Sequence, residues 1–213
     1  MNQKIGIGLL GLGTVGTGVA NIINSPEGRN PLVSNIKIAR VAVRDPNRIR
    51  SIKIEPSIIT NDPFEVVKDP NVEVVVEAIG GIEPAKSLIM LAIKSGKSVV
   101  TANKAVVARH GKEISDAANA AGVYVLIEAA VGGGIPIIEP IKQSLGGNRI
   151  KKITGIINGT TNYILTEMAM RGSKYEDVLI EAKKLGYAEA DPCLLYTSPS
   201  PRDVEESRMP SSA

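Results

Sequence analysis

Short apolar runs alternate with longer amphipathic stretches from the start of this chain to about position 128. Lys4-Ile5-Gly6-Ile7-Gly8-Leu9-Leu10 is the first such run, and Val/Ile-rich runs recur at 36–43, 58–60, 72–78, 98–101 and 124–128. These predict strands. Between them, apolar residues at helical spacing predict helices near 14–24, 62–68, 84–95 and 104–121. Proline in a first turn at Asp62-Pro63 and Glu83-Pro84, with glycine after the last turn at Gly96 and Gly122, punctuates them. Such alternation predicts an α/β fold with a doubly wound parallel sheet. Runs with few polar positions, such as Val74-Val75-Val76, suit a sheet covered on both faces.

After Glu128 the pattern changes. Ala129-Ala130-Val131-Gly132-Gly133-Gly134-Ile135-Pro136 sets three glycines before a proline, as a domain boundary or a hinge next to a ligand requires. A helix near 136–145, a strand near 150–157 and helices near 160–170 and 175–185 follow. That is too few strands to close a sheet, so this α+β unit reads as incomplete, with apolar faces exposed on Ile156, Ile157, Ile164 and Leu165. From Cys193 onward the Pro/Ser-rich sequence has neither period, and residues 193–213 read as a disordered tail.

Composition narrows the class. With 213 residues there is room for one large domain, or one complete domain and part of another. Hydrophobic residues make up 43%, but one Phe and no Trp mean an aliphatic core. A net charge of +3 without a dense basic run argues against nucleic acid as a partner. The single Cys193 excludes an internal disulfide framework, and His110 reads as a solvated helix residue. No run approaches the roughly 18 apolar residues of a membrane span. Glycines break the first apolar run, which continues into an amphipathic helix through Val15, Val19, Ile22 and Ile23 instead of a cleavage site. The expected location is the cytoplasm, with no membrane partner.

The first strand delivers into Gly11-Leu12-Gly13-Thr14-Val15-Gly16. At a pyrophosphate each glycine answers a different need: Gly11 a tight turn, Gly13 close backbone approach, Gly16 close packing of the helix. The helix's free N–H groups then face the anion. At the end of the second strand stands Val43-Arg44-Asp45, where Arg44 suits a 2′-phosphate, favouring NADP(H), while Asp45 leaves NAD(H) open. An ordinary surface arginine is the plain alternative. Thr101-Ala102-Asn103-Lys104 follows the fifth strand, where Lys104 could meet a phosphate, a carboxylate or a carbonyl oxygen. Asn103 could equally be a helix cap with Lys104 solvated. Gly186-Tyr187-Ala188-Glu189-Ala190-Asp191-Pro192 offers two carboxylates in a loop, able to grip an ammonium group or simply to cap a helix.

Taken together these motifs resemble homoserine dehydrogenases. The likeness continues through Glu128 to Pro136, Asn158-Gly159-Thr160-Thr161-Asn162-Tyr163-Ile164 and Gly186 to Pro192, in one collinear order over about residues 3–192. It implies a Rossmann-type NAD(P)-binding domain at 1–128 and a partial substrate and dimerisation domain at 129–192, with small-molecule substrates and a homodimeric assembly. The implied reaction interconverts L-aspartate 4-semialdehyde and L-homoserine, on the route to threonine, methionine and isoleucine. Carried over by position, Gly11, Gly13, Thr14, Val15, Gly16 and Arg44 would bind the nucleotide, with Lys104 and Gly186 near the nicotinamide. Glu189 would hold the amino group of homoserine. The segment from Glu128 to Ile135 matches the family's monovalent cation site, presented as sodium on the carbonyls of Glu128, Val131, Gly133 and Ile135.

The family continues past Ala-Asp-Pro with acidic residues, glycine and a proton-donating lysine, whereas here no lysine follows Lys184. Lys104 is then left as an assisting group, residues 193–213 read as foreign sequence, and the expectation is a truncated, poorly active dehydrogenase. Two other classes share the fold. A phosphorylating semialdehyde dehydrogenase needs a thiolate, for which only Cys193 is present. A nucleotide-binding regulatory module without catalysis would not need Glu189.

Overall fold

The apolar runs become strands of one parallel sheet. The computed structural model describes residues 4–156 and 159–185. In it β1 (Ile5–Leu10), β2 (Ile36–Ala42), β3 (Ile59–Thr60), β4 (Val74–Glu77), β5 (Ser98–Thr101) and β6 (Val125–Leu126) pair in the order β3-β2-β1-β4-β5-β6. Every neighbouring pair is parallel. Four helices connect them: α1 (Thr14–Asn24), α2 (Pro63–Lys68), α3 (Ala85–Lys94) and α4 (Lys104–Ala121).

Two aliphatic cores sandwich the sheet, because successive side chains of a strand point to opposite faces. Leu10 and Val75 pack with Val66 and Val67 of α2, Leu88 and Ile89 of α3, and Ile114 of α4. Leu9 and Val41 pack on the other core with Ala20 of α1 and with Ile52. Leu88 and Ile89 are wholly buried, each such side chain contributing about 1.5–3 kcal/mol. No aromatic residue belongs to the buried core among the described residues.

Local chemistry fixes the helix ends. Asp62 accepts a hydrogen bond from the Phe64 amide at 2.8 Å, ahead of α2, whose first residue is Pro63. Gly122 closes α4 in the left-handed region at φ 67°, where a Cβ would be strained.

The chain divides after Arg149 into two compact units. Two expectations near this division have different outcomes. The helix expected near 136–145 forms over residues 138–144, its Pro140–Ser144 part π-helical, with the Leu145 amide donating to the Pro140 carbonyl at 3.1 Å. Pro140 has no N–H, so it can accept but not donate in that turn. The expected strand at 150–157 does not form over residues 150–156, which pair with no strand among the described residues. A strand without a neighbour leaves its backbone groups unpaired.

The second unit, described as far as residue 185, is a pair of helices, α5 (Gly159–Arg171) and α6 (Tyr175–Lys184). They bury Ile164, Val178 and Ala182 against one another. Ile164 is thus covered, at 2% exposure, against the expectation, whereas Ile156 and Leu165 are open at 74% and 45%. Ile157, Gly186, Glu189 and the tail from Cys193 lie outside the described residues. No helix among the described residues is long and apolar enough to cross a membrane.

Candidate functional site

The glycine turn is shaped by close approaches of backbone to backbone. Gly11 sits at φ 99°, and a Cβ there would stand 2.8 Å from the Ala78 carbonyl oxygen. At Gly16 a Cβ would lie 2.0 Å from the Gly11 oxygen, so only glycine lets α1 close on the turn. Gly13, the N-cap of α1, is different: a Cβ there would meet nothing within 4 Å. It supplies no side-chain cap, and the first turn of α1 has no acidic residue. Gly13, Thr14 and Val15 are exposed. The first-turn amides therefore face open space with the positive end of the helix dipole behind them, the arrangement an anion requires.

This turn lies where the sheet order reverses. β1 pairs with β2 on one side and β4 on the other, and open parallel sheets bind ligands at the carboxyl edge of such a switch point.

Arg44 follows β2 at the same edge. It is exposed and has no hydrogen-bond or ion-pair partner among the described residues. Asp45 is engaged: its carboxylate accepts from the Asn47 amide at 2.9 Å. Arg50 braces the loop by donating to the carbonyls of Asp45 at 2.6 Å and Arg48 at 2.8 Å. Of the two residues weighed for the ribose, the cation is the one left unpaired.

Beyond β4 and β5, Asn103 is indeed a cap, its side chain accepting from the Val106 amide at 3.2 Å. Lys104 opens α4, exposed and without a partner among the described residues. A cation at a helix N-terminus opposes the dipole, so this lysine adds nothing to the helix and remains available to a ligand. Sequence reading missed Glu77, wholly buried at the end of β4. A charged residue closing Val74-Val75-Val76 just before Gly80-Gly81 was the signal available. It accepts from the Thr101 hydroxyl at 2.6 Å and the Ile79 amide at 2.9 Å.

The glycine-rich segment after β6 is tied down by Glu128. Its carboxylate accepts from the amides of Ile137 at 2.5 Å, Ile138 at 3.1 Å and Glu139 at 2.6 Å. The Ile137 amide, followed by that of Glu139, holds this carboxyl below the usual glutamate range. Gly132 and Gly133 adopt φ 73° and 63°. The Glu128 carbonyl accepts from the Val131 amide at 3.0 Å, whereas those of Val131, Gly133 and Ile135 accept no backbone hydrogen bond from a described residue. No group of three His, Cys, Asp or Glu side chains could hold a metal among the described residues.

The glycine turn, Arg44 and Lys104 thus share one edge of one sheet. His110, half-buried on α4, has its Nδ1 3.4 Å from Glu113. A shallow depression of about 520 Å³ beside Glu73 and Lys97 lies at the opposite, amino edge.

Two family models match successive parts of the chain. The model of the homoserine dehydrogenase NAD-binding domain matches residues 11–128, and that of homoserine dehydrogenase matches 136–194. The homoserine dehydrogenase of Synechocystis is 57% identical over 190 residues, covering 89% of this chain but 44% of the relative. That of Corynebacterium glutamicum is 46% identical, with 89% and 43% covered. The crystal structure of a homoserine dehydrogenase from Thiobacillus denitrificans superimposes with a TM-score of 0.74 at 48% identity, covering 90% of this chain and 45% of that one. A hyperthermophilic archaeal homoserine dehydrogenase in complex with NADPH gives 0.73 at 28% identity, covering 89% and 64%. The chain spans less than half the length of the curated relatives it matches. By its matched domains, and by the sheet order and glycine turn they contain, it belongs to the homoserine dehydrogenase family.

Proposed function

We propose that this chain binds NADP(H) across the carboxyl edge of its sheet and serves the interconversion of L-aspartate 4-semialdehyde and L-homoserine, on the route to threonine, methionine and isoleucine. An uncapped, acid-free N-terminus of α1 beside an unpaired Arg44 carries this assignment. The first suits a pyrophosphate and the second a 2′-phosphate. The NADPH held by the archaeal relative supports the choice of cofactor. NAD(H) would have to recruit Asp45 from its bond to Asn47.

When bound, the cofactor supplies the hydride exchanged with the aldehyde carbon. Lys104 brings positive charge to the nicotinamide side, where it can orient a carbonyl or offset a developing alkoxide. Gly186 would complete the nicotinamide end and Glu189 would take the amino group of homoserine. The carbonyls of Glu128, Val131, Gly133 and Ile135 would hold a monovalent cation such as sodium. Left-handed Gly132 and Gly133 and the three unbonded carbonyls suit a hard ion that prefers oxygen. In this scheme residues 1–128 bind nucleotide, and those from 129 to 192 belong to the substrate and homodimer-forming domain.

Titration of the purified protein with NADPH and NADH, read by nicotinamide fluorescence, tests the cofactor assignment. The expected result is NADPH binding about tenfold or more tighter than NADH. Equal affinities, or no binding of either, would remove it. Consumption of NADPH with aspartate semialdehyde, in sodium and then in a sodium-free buffer, tests the reaction and the cation together.

A further inference from the structure

Glu77 is the most deeply buried ionisable group at the dinucleotide edge, and the chemistry above gives it no role. It is fully covered at the end of β4, with no cation paired to it among the described residues. Its Oε1 accepts from the Ile79 amide at 2.9 Å and the Gly80 amide at 3.3 Å. Its Oε2 accepts from the Thr101 hydroxyl at 2.6 Å. The Asn103 amide group lies 3.5 Å from Oε1 and donates to the Gly81 carbonyl at 2.7 Å. The same Asn103 caps α4 through the Val106 amide, one residue before Lys104 in sequence.

These bonds join two loops that no other side chain bridges among the described residues. One is Ile79-Gly80-Gly81 after β4, where both glycines are left-handed, at φ 81° and 76°. The other is the β5–α4 turn that ends in Lys104. An apolar residue at position 77 would strand the Ile79 and Gly80 amides and leave the Thr101 hydroxyl proton without its acceptor. Buried polar networks of this kind contribute positional specificity more than stability.

The adenine side is built separately. Arg44 and its Arg50 brace follow β2, on the far side of β1 from Glu77. Neither shares a hydrogen bond with the Glu77 network among the described residues.

We infer that Glu77 is a positioning residue for the nicotinamide half of the bound dinucleotide, holding the Ile79–Gly81 loop against the start of α4 and so setting where Lys104 stands. The inference rests on the dinucleotide assignment made above. It predicts that damage to Glu77 is felt by ligands carrying nicotinamide and not by the adenine half alone.

Calorimetric titration of the wild type, Glu77→Gln, Thr101→Val and Thr101→Ser with NADPH and with 2′,5′-ADP, which lacks nicotinamide, tests this. Glu77→Gln keeps the shape but turns an N–H₂ toward donors, so NADPH should bind about tenfold more weakly, with 2′,5′-ADP unchanged. Thr101→Val should show the same selective loss, and Thr101→Ser, which keeps the hydroxyl, should bind both ligands as the wild type does. Equal loss for both ligands would mean a general structural role and overturn the inference, as would no loss for either. Wild type that binds neither ligand would overturn the dinucleotide assignment first, and the inference with it. If Glu77→Gln fails to fold, as judged by its thermal transition, the Thr101 pair decides.

Discussion

The Gly11 carbonyl oxygen and the α-carbon of Gly16 face each other so closely that a methyl group on Gly16 would sit 2.0 Å from the oxygen. Both partners are backbone, so neither can rotate away. Gly16→Ala should therefore destabilise the protein by about 1–3 kcal/mol or more, read from urea unfolding. Gly13→Ala makes the opposite case, because its Cβ would meet nothing within 4 Å. That variant should unfold at the wild-type urea concentration and yet lose dinucleotide affinity, since the methyl fills the space in front of the α1 amides. Weakened stability in Gly13→Ala, or wild-type stability in Gly16→Ala, would contradict this division of labour.

Arg44 has no protein partner among the described residues to lose. Arg44→Ala should leave the thermal transition in place while reducing NADPH affinity about 10- to 100-fold, the worth of a charged hydrogen bond. NADH affinity should move little. Parallel titrations with the two cofactors check the contrast, and equal losses would remove Arg44 from the 2′-phosphate.

At the amino end of α2, Asp62 accepts from the Phe64 amide. Asp62→Ala should lower stability by about 1 kcal/mol, and Asp62→Asn, which can still cap, by much less. Chemical denaturation of the three proteins gives the comparison. Nucleotide affinity should be the same in all of them.

Lys97 is 8% exposed and donates to the Asp69 carbonyl at 2.5 Å. Burial lowers its ammonium pKa from the ordinary 10.5, with Asp69 acting in the other direction. Between the folded value and 10.5 the unfolded chain thus binds more protons than the folded one, and stability rises with pH across that interval. The contribution is complete above 10.5 and is lost as pH falls through the folded value. Lys97→Met abolishes the dependence, so wild type should gain on the variant as alkaline pH climbs toward 10.5. Unfolding curves over that range measure it, and parallel pH profiles would refute it.

What could be read from the sequence was what local sterics and periodicity decide. The strands and the helices α1 to α4 follow from apolar spacing, and the turn at residues 11–16 follows from where a Cβ cannot fit. The Glu77 network could not be read, because Thr101 and Asn103 reach it from 24 and 26 residues away. Whether Asp45 or Arg44 was free depended on a bond to Asn47 that only the folded loop makes. The strand expected at 150–157 does not form over residues 150–156 for a related reason: alternation describes what a segment offers, and pairing depends on a neighbour.

The sheet order also bears on how the protein is made. β1 is translated before the other five strands of the sheet, yet its second flank is closed only when β4 arrives, as the Glu73 amide donates to the Gly6 carbonyl and the Glu73 carboxylate accepts from the Gly6 amide, 67 residues apart. During synthesis the central strand must wait for that stretch to leave the ribosome, with Leu9 and Leu10 exposed meanwhile. The strand that carries the nucleotide turn is therefore made before the other strands of its sheet and secured only by the fourth of them, so nascent chains stalled before β4 should be the ones that chaperones hold.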